Sequence, residues 1–345
     1  MSDFLKDQTK NKVFIIAELS ANHNGSLTNA IETIRAAKRA GANAIKLQTY
    51  TANTITIDSK KSDFLIDNGS IWDGKNLYEL YQEAYTPWEW HPELFKVAEQ
   101  EGLICFSSPF DFTAVDFLES FNVPCFKIAS FEITDIPLIK YVASKGKPII
   151  LSTGIATKSD IELALSTIRE QGVNDIALLK CTSSYPAPID EANLIMLQDF
   201  KKKFNIIPGL SDHTLGNVAP VVAVSLGAKI IEKHLIVDKK IGGPDSSFSL
   251  DENEFKEMVS NVRIAEKAIG KINYELTDKQ HNGRNFARSL YVIKDVKKGE
   301  RISNDNIKSI RPGFGIHPKF LPQIIGKVFK KDIEFGTALK QNHFE

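Results

Sequence analysis

Residues 229–237 read KIIEKHLIV, a strand-like run whose apolar flanks enclose a Glu-Lys-His core. Side chains alternate along a strand, so Glu232 and His234 share one face and Lys233 takes the other. A purely structural strand has no use for a buried carboxylate and imidazole, so that face is expected to look onto a ligand. A second histidine, His213, closes an earlier run, GLSDH. Two imidazoles at the ends of neighbouring strands can reach one ion, and neutral imidazole suits zinc, manganese, iron, cobalt or nickel. With Asp212 and Glu232 beside them and water in the remaining positions, an open octahedral site is expected in preference to a closed structural zinc.

Two lysines, Lys46 and Lys127, lie in other strand-like runs, and Ser108, Ser130, Ser152, Ser183 and Ser211 fall at the ends of theirs. Gathered together they make a compact cationic pocket, rich in donors, that suits a phosphate or a carboxylate. The competing structural reading is that the lysines snorkel or pair with Glu18 and Glu132. Strict alternation puts Lys127 and Ser130 on opposite faces, so Ser130 belongs to the following loop or the strand is bulged.

Positioning these residues takes a regular frame. Strand-like runs begin near 13, 44, 103, 125, 148, 176, 205 and 229, and helical patterns such as SLTNAIETIRAAKRAG separate most of them. SDIELALSTIREQG opens with Ser159 as the expected cap and an acidic first turn. Alternating strands and helices of this number predict an α/β fold, a (β/α)₈ TIM barrel. No G-x-G-x-x-G follows the first strand, which argues against an open doubly wound sheet. In such a barrel the chemistry sits at the C-terminal strand ends. Those ends are polar throughout, with Glu18, Ser20, Asn22, His23, Gln48, Ser107, Glu132, Thr153, Thr182 and Tyr185 joining the residues above.

A stretch from about 51 to 90 follows the second strand, carries Trp72, Trp88 and Trp90, and is too long for an ordinary loop. It is expected to serve either as a substrate wall or as a clamp on the neighbouring helix. From about 286 the pattern changes to short strands punctuated by glycine. The chain therefore reads as a barrel over 1–272, a linker over 273–285 and a small second domain over 286–345, which docking or oligomerisation would support.

The chain has 345 residues, with Lys+Arg and Asp+Glu balanced at 43 each, so no global field favours nucleic acid or an anionic membrane. No signal peptide and no membrane-spanning run is expected. Cys105, Cys125 and Cys181 each sit in an apolar run and read as buried thiols of a reducing, cytoplasmic compartment.

The segments IAELSANHNGS, KLQTY, FSSPF, LSTGIAT, KCTSSYP, GLSDHT, IEKH, GPDSSFSLD and RPGFGI, in this order, resemble the sialic acid synthase family over essentially the whole chain. The resemblance implies a TIM barrel followed by a small antifreeze-like (SAF, β-clip) domain. It also implies condensation of phosphoenolpyruvate with an open-chain amino sugar to a nine-carbon 2-keto acid. AELSANHNGS, WDGKNLYELYQEAYTPWEWH and RPGFGIHPKF look most like the pseudaminic branch, whose acceptor is 2,4-diacetamido-2,4,6-trideoxy-L-altrose. Legionaminate or N-acetylneuraminate precursors are the alternative acceptors. A pyruvate aldolase and a non-catalytic carbohydrate-binding protein are more distant readings.

By the same resemblance His213 and His234 bind a divalent ion, manganese with magnesium or cobalt as substitutes. Lys46, Ser108, Lys127, Ser130, Ser152, Ser183 and Ser211 hold phosphoenolpyruvate. Glu18, Gln48, Glu132, Tyr185 and Asp245 face the sugar, Glu132 being the first choice and Glu18 the second for moving protons. Arg311 reaches the barrel of a partner in a domain-swapped homodimer, and the product decorates surface glycans such as flagellin. Tyr185, Phe286 and the tryptophan-bearing stretch are candidates for an apolar wall against the sugar's methyl groups. CTSSYP departs from the CTNIYP of neuraminate-type members, which leaves the contact of Ser183 shorter than theirs.

Overall fold

Eight runs rich in valine, isoleucine and phenylalanine become parallel strands, as the alternation predicts. They are β1 (Phe14–Glu18), β2 (Ala44–Thr49), β3 (Ile104–Pro109), β4 (Phe126–Ile128), β5 (Ile149–Ser152), β6 (Ile176–Cys181), β7 (Ile207–Asp212) and β8 (Ile230–His234). The structure, a computed structural model, describes residues 3–67, 69 and 71–345. Two compact units divide it, Met1–Gly270 and Lys271–Glu345.

Around the strands lie α1 (Phe4–Thr9), α2 (Leu27–Ala40), α3 (Ala52–Ile55), α4 (Leu77–Ala84), α5 (His91–Gln100), α6 (Phe112–Glu119), α7 (Ile136–Ser144), α8 (Lys158–Glu170), α9 (Met196–Phe204), α10 (Val218–Ser225) and α11 (Glu252–Ile269). The hydrogen-bonded order is β3-β2-β1-β8-β7-β6-β5-β4, so β1 and β8 join the two ends of the chain order. Seven ladders run round the sheet. β3 and β4 lie alongside one another, and no ladder is formed between them among the described residues.

Alternation gives each strand two jobs. Outward residues such as Ile15, Ala17, Ile45, Leu47 and Ile231 pack against Ile34 and Ala37 of α2, Leu94 of α5 and Phe255 and Val262 of α11. Each fully buried side chain of this size contributes roughly 1.5–3 kcal/mol. Inward residues change character along the strand. Phe14 and Ile16 give way to Glu18, Ala44 to Lys46, Ile150 to Ser152 and Ile230 to Glu232, all buried. The inside of the barrel is thus apolar at the N-terminal end of the strands and polar at the C-terminal end.

Local signals fix the helix ends. Ser26 caps α2 by accepting from Asn29 N, and Gly41 ends the helix at φ 91°. The cap of α8 is Thr157, not the expected Ser159. Thr157 and Asp160 form a reciprocal capping box, and Ser159 falls inside the first turn. The Thr–x–x–Asp pair satisfies two backbone donors, which one serine two residues later cannot do.

The second unit holds α12 (Asp278–Gly283), the antiparallel pair β9 (Ser289–Val292) and β10 (Ile307–Ile310), and α13 (Leu321–Ile324). A capping box of Thr277 and Gln280 starts α12, so the stretch expected as a plain linker carries a helix of its own. Leu290, Val292, Ile302, Phe329, Leu339 and Phe344 form its apolar centre. No helix among the described residues is long and apolar enough to cross a membrane.

Gly209 of β7 faces inward just below the polar layer. A Cβ there would meet Leu179 Cδ2 at 2.4 Å, Ile230 O at 2.8 Å and Ile230 Cβ at 2.9 Å. Backbone and ladder partners cannot move aside cheaply, and overpacking of this kind costs about 1–3 kcal/mol. Gly209→Ala is therefore expected to lower the Tm of the chain by several degrees, whereas Gly172→Ser, with open space around the Cβ but a φ of 83°, tests backbone strain alone. A Gly209→Ala protein that melts at the wild-type temperature would contradict this packing.

Candidate active site

The polar layer opens into a cavity of about 600 Å³ at the C-terminal strand ends. Register brings its charges together. Glu18 of β1 sits level with Lys46 of β2 on one side and with His234 of β8 on the other. Ser211 of β7 is level with Glu232 of β8. Glu18 Oε2 lies 2.5 Å from Lys46 Nζ, and Glu232 Oε1 lies 3.6 Å from Lys127 Nζ and 3.9 Å from Lys46 Nζ. The result is a buried cluster of two ammonium and two carboxylate groups.

Hydroxyls hold this cluster in place. Ser152 Oγ accepts from Lys127 Nζ at 2.7 Å, Ser108 Oγ from Lys46 Nζ at 3.3 Å, and Ser211 Oγ donates to Glu232 Oε1 at 2.9 Å. Gln48 Nε2 donates to Glu18 Oε1 at 3.1 Å and to Ser20 Oγ at 2.9 Å. Ser130 lies beyond β4, in the helical turn Ser130–Thr134, which resolves the conflict with alternation. Its Oγ is 2.6 Å from Ser183 Oγ. A Cβ on Gly154 would sit 1.8 Å from Ser183 Oγ and 2.9 Å from Ser130 Cβ, so this glycine leaves the two hydroxyls their room.

Electrostatics separate the carboxylates. Burial opposes ionisation of Glu232, but Lys127, Lys46 and the Ser211 hydroxyl outweigh it and pull its carboxyl below the usual value. Burial pushes Glu18 up against the pull of Lys46. Glu132, with weaker compensation, is pushed up to about 7 by burial. Burial, with His213 and the lysines nearby, keeps His234 neutral.

The two histidines face each other at the mouth, ring centroids 5.3 Å apart. His213 Nδ1 lies 3.0 Å from Thr182 O. Burial lowers the pKa of His213, but Cys181 and this carbonyl outweigh burial and raise it, and in the neutral form donation to the carbonyl leaves Nε2 with the lone pair. His234 Nδ1 is 3.8 Å from Asp245 Oδ2. Glu132 Oε2, Glu232 Oε2 and His234 Nδ1 are buried without a hydrogen-bond partner.

Several residues expected at the site lie elsewhere, and for those within strands alternation is the reason. Asp212 and Lys233 point outward and form a buried ion pair, with Lys233 also donating to Thr214 O at 2.6 Å. Asp212 is therefore not beside the histidines, and Asp245 is the carboxylate near them. Ser107 bonds Thr49 Oγ1 at 2.7 Å behind the barrel wall, and Thr49 in turn bonds His91. His23 packs edge-on against Trp90, and burial brings its pKa down to about 4. Asn22 donates to Leu235 O and Ser249, Thr153 to Leu179 O, and Thr182 Oγ1 to Glu191 O. Phe286 and Arg311 belong to the second unit, where Phe286 is exposed, and the expectation for Arg311 concerns a partner's barrel and not this one.

The long stretch after β2 does both things expected of it; its Asn68 and Ser70 lie outside the described residues. Trp72 lies on the cavity wall, 5.3 Å from Tyr185 between ring centroids, with Nε1 donating to Pro244 O. Trp88 stacks on Phe117 at 4.6 Å, and Trp90 packs on the outer core, so these two are clamps. Sequence reasoning missed Tyr50, Tyr81, Phe110, Phe131 and Cys181 on the cavity wall. Cys181 shares the inward parity of Ser211 and was legible; the others follow from tertiary folding.

Residues 33–274 match a model described as the NeuB family, and residues 287–345 one described as a SAF domain. The chain is 52% identical over 337 residues to a pseudaminic acid synthase of Campylobacter jejuni, covering 98% of each chain. It is 48% identical over 335 residues to a pseudaminic acid synthase of Helicobacter pylori, covering 96% of this chain and 97% of that one. Among solved structures it resembles the N-acetylneuraminic acid (sialic acid) synthetase of Leptospira borgpetersenii in complex with citrate. That match has a TM-score of 0.71 and 32% identity, and covers 79% of this chain and 90% of the other.

The upward shift of Glu132, from 4.5 to about 7, is also a statement about stability. The folded state binds more protons than the unfolded one between these values, so its contribution is full at low pH and lost as pH rises through 4.5 to about 7. About 3 kcal/mol is at stake on the alkaline side. Glu132→Gln is expected to raise the Tm at pH 8 and to change it little at pH 4.5. Equal effects at both pH values would mean that the carboxyl is not held neutral by burial.

Proposed function

The chain belongs to the NeuB family and carries a SAF domain, and from that premise we propose that it is a pseudaminic acid synthase. It condenses phosphoenolpyruvate with 2,4-diacetamido-2,4,6-trideoxy-L-altrose and water, giving a nine-carbon 2-keto sugar acid and phosphate. The observation that carries this reading is the 52% identity to the Campylobacter jejuni synthase over 98% of both chains. The site's chemistry supports it, because phosphoenolpyruvate needs cations and donors for both a phosphate and a carboxylate.

Lys46 and Lys127 hold those anionic groups, with the hydroxyls of Ser108, Ser130, Ser152, Ser183 and Ser211 as donors around them. Lys46 is shared between Glu18 and the substrate. The raised pKa of Glu18 helps here, because a protonated Glu18 leaves the ammonium to the incoming anion. Gln48, Tyr185 and Asp245 orient the open-chain sugar. Carbon 3 of phosphoenolpyruvate adds to the aldehyde carbon, whose oxygen takes up a proton to become a hydroxyl. Water adds at carbon 2 with loss of one proton, and the carbon–oxygen bond to phosphate then breaks as the remaining hydroxyl proton passes to the phosphate and the ketone forms. Glu132, poised at about 7, takes a proton from the attacking water oxygen, and Glu18 is the second choice for that role.

The donor set fits a divalent ion. His234 is neutral and His213 is oriented by a carbonyl, as metal-binding imidazoles are. No group of three or more potential ligands is arranged for a metal among the described residues, so water and substrate oxygens would complete the shell. His213 and His234 would hold Mn²⁺, with Mg²⁺ or Co²⁺ as substitutes, and the ion would supply Lewis acidity to the sugar carbonyl. The proposal also includes a cytoplasmic setting, in keeping with three free, buried cysteines. It includes a domain-swapped homodimer in which Arg311 and Phe286 serve the partner's sugar site, and a product destined for flagellin.

Phosphate release by metal-stripped protein, with phosphoenolpyruvate, Mn²⁺ and three acceptors, tests the reading. The acceptors are the altrose, its legionaminic counterpart and N-acetylmannosamine. Metal-dependent release that prefers the altrose is expected; preference for another sugar would overturn the branch, and no release would overturn the reaction. His213→Ala and His234→Ala should each abolish tight Mn²⁺ binding in calorimetry as well as turnover. Lys127→Met, which removes a preorganised charge, should cost about 10²–10³ in kcat. The limb of the kcat profile near pH 7 should vanish in Glu132→Gln; a profile unchanged in that variant would transfer the proton role to Glu18.

A further inference from the structure

Helix α4 presents Leu77, Leu80, Tyr81 and Ala84 on one face, at the i, i+3, i+4 and i+7 spacing of an amphipathic stripe. Such a stripe normally buries itself in a core. Here none of the four belongs to the barrel's apolar clusters, and all four line the cavity. Two aromatic rings extend the surface. Tyr50 lies edge-on to Tyr81 at 5.7 Å and to Phe110 at 5.0 Å, and both Tyr50 and Phe110 line the same cavity. An apolar helix face turned onto a ligand cavity is stabilised only when an apolar group covers it.

The placement of this wall is specific. Tyr50 follows β2 and Phe110 follows β3, whereas His213 follows β7 and His234 ends β8. In the order β3-β2-β1-β8-β7, β3 lies four places from β7 and faces it across the barrel mouth, while β2 lies two places from β8. The charged layer of Lys46, Lys127, Glu18 and Glu232 lies between them. The α4 face and the two histidines line one cavity, so a sugar whose carbonyl carbon reacts beside the histidines has room to extend its far end toward α4.

We propose that the α4 stripe, with Tyr50 and Phe110, is a specificity subsite for the acyl-amino and deoxy end of the acceptor remote from its carbonyl. This rests on the synthase reading above and names which residues choose the sugar. Methyl groups of an acetamide and of a 6-deoxy carbon cover the stripe, while hydroxyls at the same positions lose their water without gaining a partner. The stripe acts by binding, so its changes fall on acceptor affinity and leave the bonds made and broken unaltered.

The test uses the full-length chain with Leu80→Asn and, as a gentler variant, Leu77→Thr, each first shown to keep the wild-type Tm within a few degrees. Turnover is measured with the diacetamido-trideoxy sugar and with N-acetylmannosamine, and binding of both sugars is measured separately by calorimetry. Expected is a rise in KM and Kd for the diacetamido-trideoxy sugar of about 10- to 100-fold. The KM for phosphoenolpyruvate and the kcat should stay within about twofold, and N-acetylmannosamine should be little affected. Parallel losses for both sugars, or a raised KM for phosphoenolpyruvate, would overturn the subsite. Wild-type binding that depends on the stripe without any turnover would keep the subsite and sink the synthase reading. Turnover insensitive to both variants would do the reverse, and neither binding nor turnover would sink both.

Discussion

Four charges inside a barrel are the constraint around which this molecule is arranged. Removing an unpaired ammonium or carboxylate from water costs several kcal/mol, and only pairing with full hydrogen bonding offsets it. Glu18, Lys46, Glu232 and Lys127 are all buried, and each has an opposite charge within 4 Å. That arrangement requires four strands to deliver side chains of the right sign at one level. The register of β1 with β2 and β8 places Glu18, Lys46 and Glu232, and β4, paired with β5, brings Lys127. The serines are the second part of the solution, because they occupy lone pairs and protons that the ion pairs leave over. A cluster balanced in this way is also poised, since an arriving anion rearranges existing pairs and does not have to create a charged pocket from nothing.

Much of this was legible in the sequence, through one rule. Period-two alternation put Glu232 with His234 and Lys46 with Gln48, and the structure places all four on the cavity. The same rule, applied more strictly, would have turned Asp212 away from His213 and Ser107 away from Ser108. Proximity in the sequence tempted the reading there, and the outward ion pair of Asp212 with Lys233 is what proximity hid. The eight strands were visible because a parallel sheet covered on its outer face needs continuous apolar runs. The missing ladder between β3 and β4 was not visible, because register depends on partners distant in the chain.

The stretch after β2 was the least legible part, for a physical reason. Its function lies in which way each residue faces, and no period carries across the breaks between α3, the loop and α4. Trp72, Trp88 and Trp90 are chemically alike, yet one faces the cavity and two hold α5 and α6 against the barrel. The apolar periodicity of Leu77, Leu80 and Tyr81 is real, but in sequence it is indistinguishable from an ordinary core stripe. Only the fold reveals that the stripe lies outside the barrel's apolar clusters and borders the cavity.

The slit between β3 and β4 gives the barrel the mechanics of a split ring. Seven junctions are closed by backbone ladders, and at the eighth β3 and β4 lie alongside each other without one. A split ring changes diameter by flexing at the point opposite its gap, which in this order falls between β8 and β7. Those strands carry Glu232, Ser211 and His234, so a slight widening of the ring would be felt first as altered spacing around Glu232.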